Sequence, residues 1–182
     1  MHEIQSYRIP STRLQSRNYD EGGPYFVTIC VAQRRCVFGE IARGEMRLSR
    51  LGALVNQCWH DLPNHHDGVE IDEFVVMPNH VHGILWLPHK DVRENRPRPN
   101  GFRSPAAGTL GSIVRSVKSA VTKRANEHDF RFAWQPRFWD HVIRDNALLS
   151  IREYIWQNPL NWAWDSQNPL VAQFYRRDGS KT

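Results

Sequence analysis

Two periods of hydrophobic spacing alternate along this chain, and together they divide it into strands and helices. The run Tyr25 to Val31 is apolar and β-branched throughout and predicts a central strand. Glu45-Met46-Arg47-Leu48 predicts a short edge strand. Leu51, Leu54, Val55, Cys58, Trp59 and Leu62 recur at helical period and predict an amphipathic helix. Val69 to Val76 and His80 to Leu87 predict two strands joined at Pro78-Asn79, a pair of turn formers. A second amphipathic helix is expected from Thr109 to Glu127, with Leu110, Ile113, Val114, Val117 and Val121 inward. Phe138 to Arg144 reads as extended. A last helix carries Leu148, Ile151 and Ile155 on its buried stripe, with Asp145 or Asn146 as its cap. Pro159 should end it at Asn158, because a residue before proline is pushed out of the helical region. Strands interleaved with a few helices in one small domain imply a two-layer α+β sandwich. No internal repeat is visible.

The 182 residues suffice for one domain with a substantial core. Residues 1–22 read as a polar arm with Arg8, Arg13 and Arg17, residues 23–165 as the folded domain, and 166–182 as a polar tail. Within the domain, the Pro- and Arg-rich stretch 89–107 reads as a mobile loop. Lys and Arg total 24 against 19 acids, a net charge of +5. That balance suits a polyanionic partner, although many basic proteins bind no nucleic acid. Three cysteines, Cys30, Cys36 and Cys58, are odd in number and lack close metal-ligand spacing, so they read as reduced thiols. No run approaches the length of a membrane span, and the polar start is not that of a signal peptide. A soluble cytoplasmic protein with no membrane partner is the expectation.

Chemistry concentrates at two places. Alternate residues of a strand share a face, so His80 and His82 project together while Val81 points to the core. Two imidazoles on one rigid face can form two corners of a metal site. They can equally be two polar residues at the mouth of a hairpin, and the pair alone does not decide. Further on, Tyr154 and Asn158 stand four apart and lie on one face of the last helix. The negative end of that helix favours a nearby cation. Tyr25 belongs to the core strand, Tyr7 and Tyr19 to the arm and Tyr175 to the tail. None of these has a candidate ligand at helical spacing. His65 and His66 fall in a loop, and His141 reads either as a structural hydrogen-bonding residue or as a DNA contact.

Taken together, His80-Val81-His82 followed by a helix with Tyr154 and Asn158 resembles the single-tyrosine HUH transposases of the IS200 type, and most of all their REP-associated branch. Pro24-Tyr25-Phe26-Val27-Thr28, Met77-Pro78-Asn79-His80-Val81-His82-Gly83, Trp134-Gln135, Asp140-His141-Val142-Ile143-Arg144 and Asn158-Pro159 carry the likeness, in order, over residues 20–165. The resemblance implies an antiparallel sheet of ferredoxin-like or RRM-like character, with the histidines on a central strand and the Tyr154 helix packed beside it. It implies Tyr154 as nucleophile and His80, His82 and Asn158 as metal ligands. Two His and one Asn leave room for water and phosphate oxygen, which suits Mg²⁺ or Mn²⁺. Zinc fits less well, since no further Cys or carboxylate ligand is evident.

The implied activity is cleavage and rejoining of single-stranded DNA near hairpins through a 5′-phosphotyrosine, by a monomer or a homodimer. A rolling-circle initiator would favour Lys four residues after the nucleophile, where this chain has Asn158. A non-catalytic module of RRM type would leave the alignment of His80, His82, Tyr154 and Asn158 unexplained. For DNA binding, Arg115 and Lys118 lie off the buried face of their helix with Lys123 and Arg124, and can meet phosphates or simply face solvent. Arg98 and Arg103 in the loop, and Arg144 in a family-like run, are further candidates. Trp134, Phe138, Trp139, Trp162 and Trp164 can stack on unpaired bases or fill the core.

Overall fold

A computed structural model of the chain describes residues 22–89, 108–144 and 146–171. The strands are β1 (Gly23–Cys30), β2 (Gly39–Ala42), β3 (Glu45–Leu48), β4 (Glu70–Val76), β5 (His80–Leu87) and β6 (Trp139–Val142). The helices are α1 (Arg50–His60), α2 (Leu62–His65), α3 (Leu110–Glu127) and α4 (Leu148–Gln157). Four strands form an antiparallel sheet in the order β4-β5-β1-β6. With α1 and α3 as the crossovers, this is the split βαβ arrangement of ferredoxin-like folds. The expected α+β sandwich with the histidines on a central strand is therefore present.

The sheet's two faces are unequal. Tyr25, Val27 and Ile29 of β1 share one face with Val81 and Leu85 of β5, as the register dictates. Leu51, Val55 and Trp59 of α1 and Ile113, Val114, Val117 and Val121 of α3 close over that face and make the main core. The opposite face carries His80, His82 and Ile84, and among the described residues it is covered by α4 and by the turn that follows it. There the buried residues are Ile84, Ile143 and Ile155, with Phe26, Val75, Trp86, Leu148 and Ile151 packed around them.

Gly83 shows why glycine follows the second histidine. It lies on the core face, where a Cβ would collide with the indole of Trp59 and stand 3.0 Å from Phe74 Cβ. Gly83→Ala should therefore destabilise the fold by about 1–3 kcal/mol, the usual cost of overpacking. Denaturant unfolding measures it, and an unchanged midpoint would contradict this packing.

Several local expectations need correction. The edge strand β3 pairs with β2, which alternation did not reveal, in a separate two-stranded sheet. Its turn places Arg43 and Gly44 at φ 56° and 78°, the double left-handed geometry of a tight hairpin. Ser49 and Thr109 cap α1 and α3 by accepting from Gly52 and Ser112 at 3.0 and 3.3 Å. By contrast, the cap of α4 is Ala147 and makes no side-chain bond, so Asn146 does not serve as expected, and Asp145 lies outside the described residues. Asn158 keeps helical φ and ψ of −57° and −41° in spite of Pro159, as the residue closing α4. Beyond it the chain turns through a short 3₁₀ helix at Trp162–Trp164. Residues 166–168, read from sequence as the start of a tail, pack back on the sheet: Arg34 donates to the Ser166 carbonyl at 2.8 Å and Asn79 to that of Gln167 at 2.9 Å.

Candidate metal and nucleophile site

The hairpin that presents the histidines is fastened at its tip. The Asn79 carbonyl accepts from Val31 N–H at 2.8 Å and the Pro78 carbonyl from Phe38 N–H at 2.9 Å. Asn79 is fully enclosed, and its side-chain Nδ2 donates to the Arg34 and Gln167 carbonyls at 3.0 and 2.9 Å. With both amide protons used, Asn79 Oδ1 can only accept, and it does so from His80 Nδ1 at 2.8 Å. His80 therefore carries its proton on Nδ1 and leaves the Nε2 lone pair bare, the tautomer a metal ligand needs.

His82 stands two residues along the same face, its ring centroid 4.4 Å from that of His80. Its Nδ1 meets Thr28 Oγ1 at 2.8 Å, and its Nε2 faces the Tyr154 hydroxyl at 3.3 Å. Phe26 stacks on the His82 ring at 5.2 Å and meets Tyr154 edge-on at 6.0 Å, so one aromatic side chain steadies both. Burial drives the His82 pKa down to about 3. Burial, and then the neighbouring His82, likewise hold His80 well below the usual histidine range. Both rings are thus neutral donors at physiological pH.

Tyr154 leaves 44% of its surface exposed, but its hydroxyl end is turned into this pocket. Burial first, and then the charge of Asp165, push its pKa up to about 12, while a hydrogen bond from the Asn158 side chain works the other way. Asn158 itself is buried, one turn beyond Tyr154, and its Oδ1 has no hydrogen-bond partner among the described residues.

Sequence reasoning missed Asp165. Its carboxylate Oδ2 lies 3.7 Å from His80 Nε2, and the nearest ligand atoms of His80, His82 and Asp165 fall within 4.8 Å of one another. Gln167 N–H fixes Asp165 Oδ1 at 2.7 Å, and burial raises the acid's pKa. This group supplies the carboxylate that the sequence reading found lacking. His80 Nε2, Asp165 Oδ2 and Asn158 Oδ1 are all buried acceptors with no donor among the described residues. Such atoms are costly unless something positive meets them, and a divalent cation fits that donor set of nitrogen and oxygen. No local signal marks Asp165, which reaches the site only because the turn at Trp162–Trp164 folds back, with Trp162 lying 6.1 Å from the His80 ring.

A polar clamp fixes the helix that bears Tyr154. One extra residue between Ile71 and Phe74 bulges β4 and turns Asp72 toward α4. Arg152 binds Asp72 through two nitrogens at 2.8 and 2.7 Å, and Trp86 Nε1 donates to the same carboxylate at 2.9 Å. The Arg152 hydrogen bonds are the chief cause of an Asp72 pKa lowered to about 2.

The candidate DNA-binding residues are placed less uniformly. Arg115 is exposed on α3, which lies on the core face of the sheet, away from the histidines. Lys118 is committed to the carbonyls of Gln135 and Arg137 at 2.7 and 3.1 Å. Trp134 packs against Phe38 and Phe132 and donates to the Lys118 carbonyl at 3.2 Å, so its ring is a structural wedge. Arg144 is exposed just after β6. His141 is also exposed, paired in register with Phe26. Arg98 and Arg103 lie outside the described residues.

No family model matches the chain. An uncharacterized protein of Haemophilus influenzae is 42% identical over 163 residues, spanning 85% of this chain and 90% of its own length. A REP-associated tyrosine transposase of Escherichia coli is 27% identical over 152 residues, 83% of this chain and 74% of its own. The solved structure of a REP-associated tyrosine transposase bound to a REP hairpin matches with a TM-score of 0.57 and 24% identity, over 82% of this chain and 74% of that one, a likeness of fold. An open antiparallel sheet with a His pair, a tyrosine helix over it and these relatives define one class of protein. The chain belongs to the IS200-like family of REP-associated tyrosine transposases. Among the described residues, no helix is long and apolar enough to cross a membrane.

Proposed function

We propose that this protein cleaves and rejoins single-stranded DNA beside hairpins of REP-like palindromes, with Tyr154 as nucleophile. The observation that carries the reading is the Tyr154 hydroxyl, 3.3 Å from His82 Nε2, in a pocket whose other buried acceptors have no donor among the described residues. His80, His82 and Asn158 would hold a divalent cation, Mg²⁺ or Mn²⁺, with Asp165 as a fourth donor. Bound there, the cation would draw charge from a non-bridging phosphate oxygen as charge builds in the transition state.

The chain's own groups supply the rest. Tyr154 Oη gives up its proton to solvent and forms a bond to phosphorus, the bond from phosphorus to the 3′ oxygen breaks, and that oxygen takes a proton from solvent to leave as a hydroxyl. The 5′ side stays attached to Tyr154 as a phosphodiester. Because the number of phosphodiester bonds is unchanged, the free 3′-hydroxyl can reverse the reaction without ATP. The His82 Nε2 lone pair cannot serve a cation and the phenol together, so with a cation held there Tyr154 would be released from His82. The Asn158 amide then remains to stabilise the phenolate. The exposed Arg144 and Arg115 are proposed phosphate contacts, with Arg98 and Arg103 of the Pro- and Arg-rich stretch of the sequence. Support for a hairpin partner comes from the relative solved with a REP hairpin, and one protomer contains every group named, so a monomer suffices.

A labelled oligonucleotide tested as tailed hairpin, as plain single strand and as full duplex checks the reading. Cleavage should be fastest in the single-stranded tail beside the stem, should need divalent metal, and should slow at high salt as phosphate contacts are screened. Equal cutting of all three forms would refute the hairpin preference, and preference for duplex would refute the mechanism.

A further inference from the structure

We propose that Trp139 is a stacking platform for an unpaired base of the DNA strand that flanks the scissile phosphate. The inference rests on the strand-transfer reading above and assigns a binding residue to it. The β-sheet register puts Val75, His82, Thr28 and Trp139 in one row across β4, β5, β1 and β6. Residues in a row share a face, so Trp139 stands on the same side as the histidines. Two strand spacings separate it from His82, roughly 10 Å between backbones. Thr28, between them, is the residue that bonds His82 Nδ1 at 2.8 Å.

The ring is also free to be used. Trp139 is 48% exposed and belongs to neither apolar cluster. Its indole makes no ring contact or hydrogen bond with the described residues. Helix α4 packs chiefly on β4 and β5 and meets β1 at Phe26, so among the described residues the β6 edge is the least covered part of this face, as the exposure of Trp139 and His141 shows. Trp134 makes the contrast: a few residues earlier, its indole is wedged between Phe38 and Phe132 and its nitrogen is bonded. Along β6 this edge continues to His141, and the exposed Arg144 follows the strand. A large exposed indole on the same sheet face as a phosphate-handling pocket fits an unpaired base better than an apolar partner. Stacking of this kind tolerates any base, so the platform would position the strand without reading its sequence.

Binding is measured with Tyr154→Phe as the background, so that the outcome does not depend on chemistry. Trp139→Ala should weaken affinity for the tailed hairpin about five- to hundredfold, while affinity for the stem alone stays the same. Trp139→Phe should keep most of it. A single abasic position moved along the tail should reproduce the loss at one site, and that abasic tail should bind Trp139→Ala no more weakly than the intact tail does. Should Trp139→Ala fail to fold, Trp139→Phe and the abasic series on folded protein still decide. Equal binding by wild type and Trp139→Ala, or losses that multiply, would overturn the proposal. So would a change from dimer to monomer with no dependence on the tail. If wild type cuts the tail and Trp139→Ala binds it normally, only this inference falls; if wild type neither binds nor cuts it, the proposed function falls as well.

Discussion

Tyr154→Phe should abolish DNA cleavage, by about 10⁴-fold or more on the scale of nucleophile deletions elsewhere. It should also remove the denaturation-resistant protein–DNA adduct. The substitution takes away one oxygen. Phe26 still meets the ring edge-on, and Ile155 still buries the helix against Ile84 and Ile143. Hairpin affinity and thermal stability should therefore stay near those of the wild type. A labelled oligonucleotide run on a denaturing gel measures the adduct, and gel shift measures binding. An adduct that survives the substitution would place the nucleophile on another residue.

Loss of the cation should be nearly as severe. Chelation should stop cleavage, and His80→Ala should do so even with excess Mn²⁺. The histidine supplies a pre-set lone pair, because Asn79 fixes its tautomer through three hydrogen bonds. Mn²⁺ at a hundred times its dissociation constant should stabilise the wild type by about 2.7 kcal/mol. Thermal melting against Mn²⁺ reads this directly. Asp165→Asn should lower the apparent affinity, since Asp165 Oδ2 has no other partner among the described residues. Metal-induced stabilisation equal in wild type, His80→Ala and Asp165→Asn would show that the cation binds somewhere else.

The parts of this molecule that could be read in the sequence are those whose geometry is local. Strand alternation put His80 and His82 on one face, and a helical turn put Tyr154 beside Asn158. Both relations survive folding because backbone period alone enforces them. What brought the two elements together was not local, and only family resemblance supplied it. Asp165 remained hidden for the same reason, as it depends on a turn after α4 that neither period describes. Trp134 and Lys118 looked available because their exposure is decided by what packs on them: Phe38 and Phe132 flank the indole, and the carbonyls of Gln135 and Arg137 hold the lysine. β2 was too short and polar for its pairing with β3 to show.

The unequal faces of the sheet have an evolutionary consequence. Nearly all the apolar anchorage lies on the side of α1 and α3, while the reacting groups sit under α4, held by three isoleucines and the clamp of Asp72 and Arg152. Substitutions that retune the reaction are therefore largely uncoupled from those that would unfold the chain. A lineage built this way can lose or redirect the chemistry of that face and still fold.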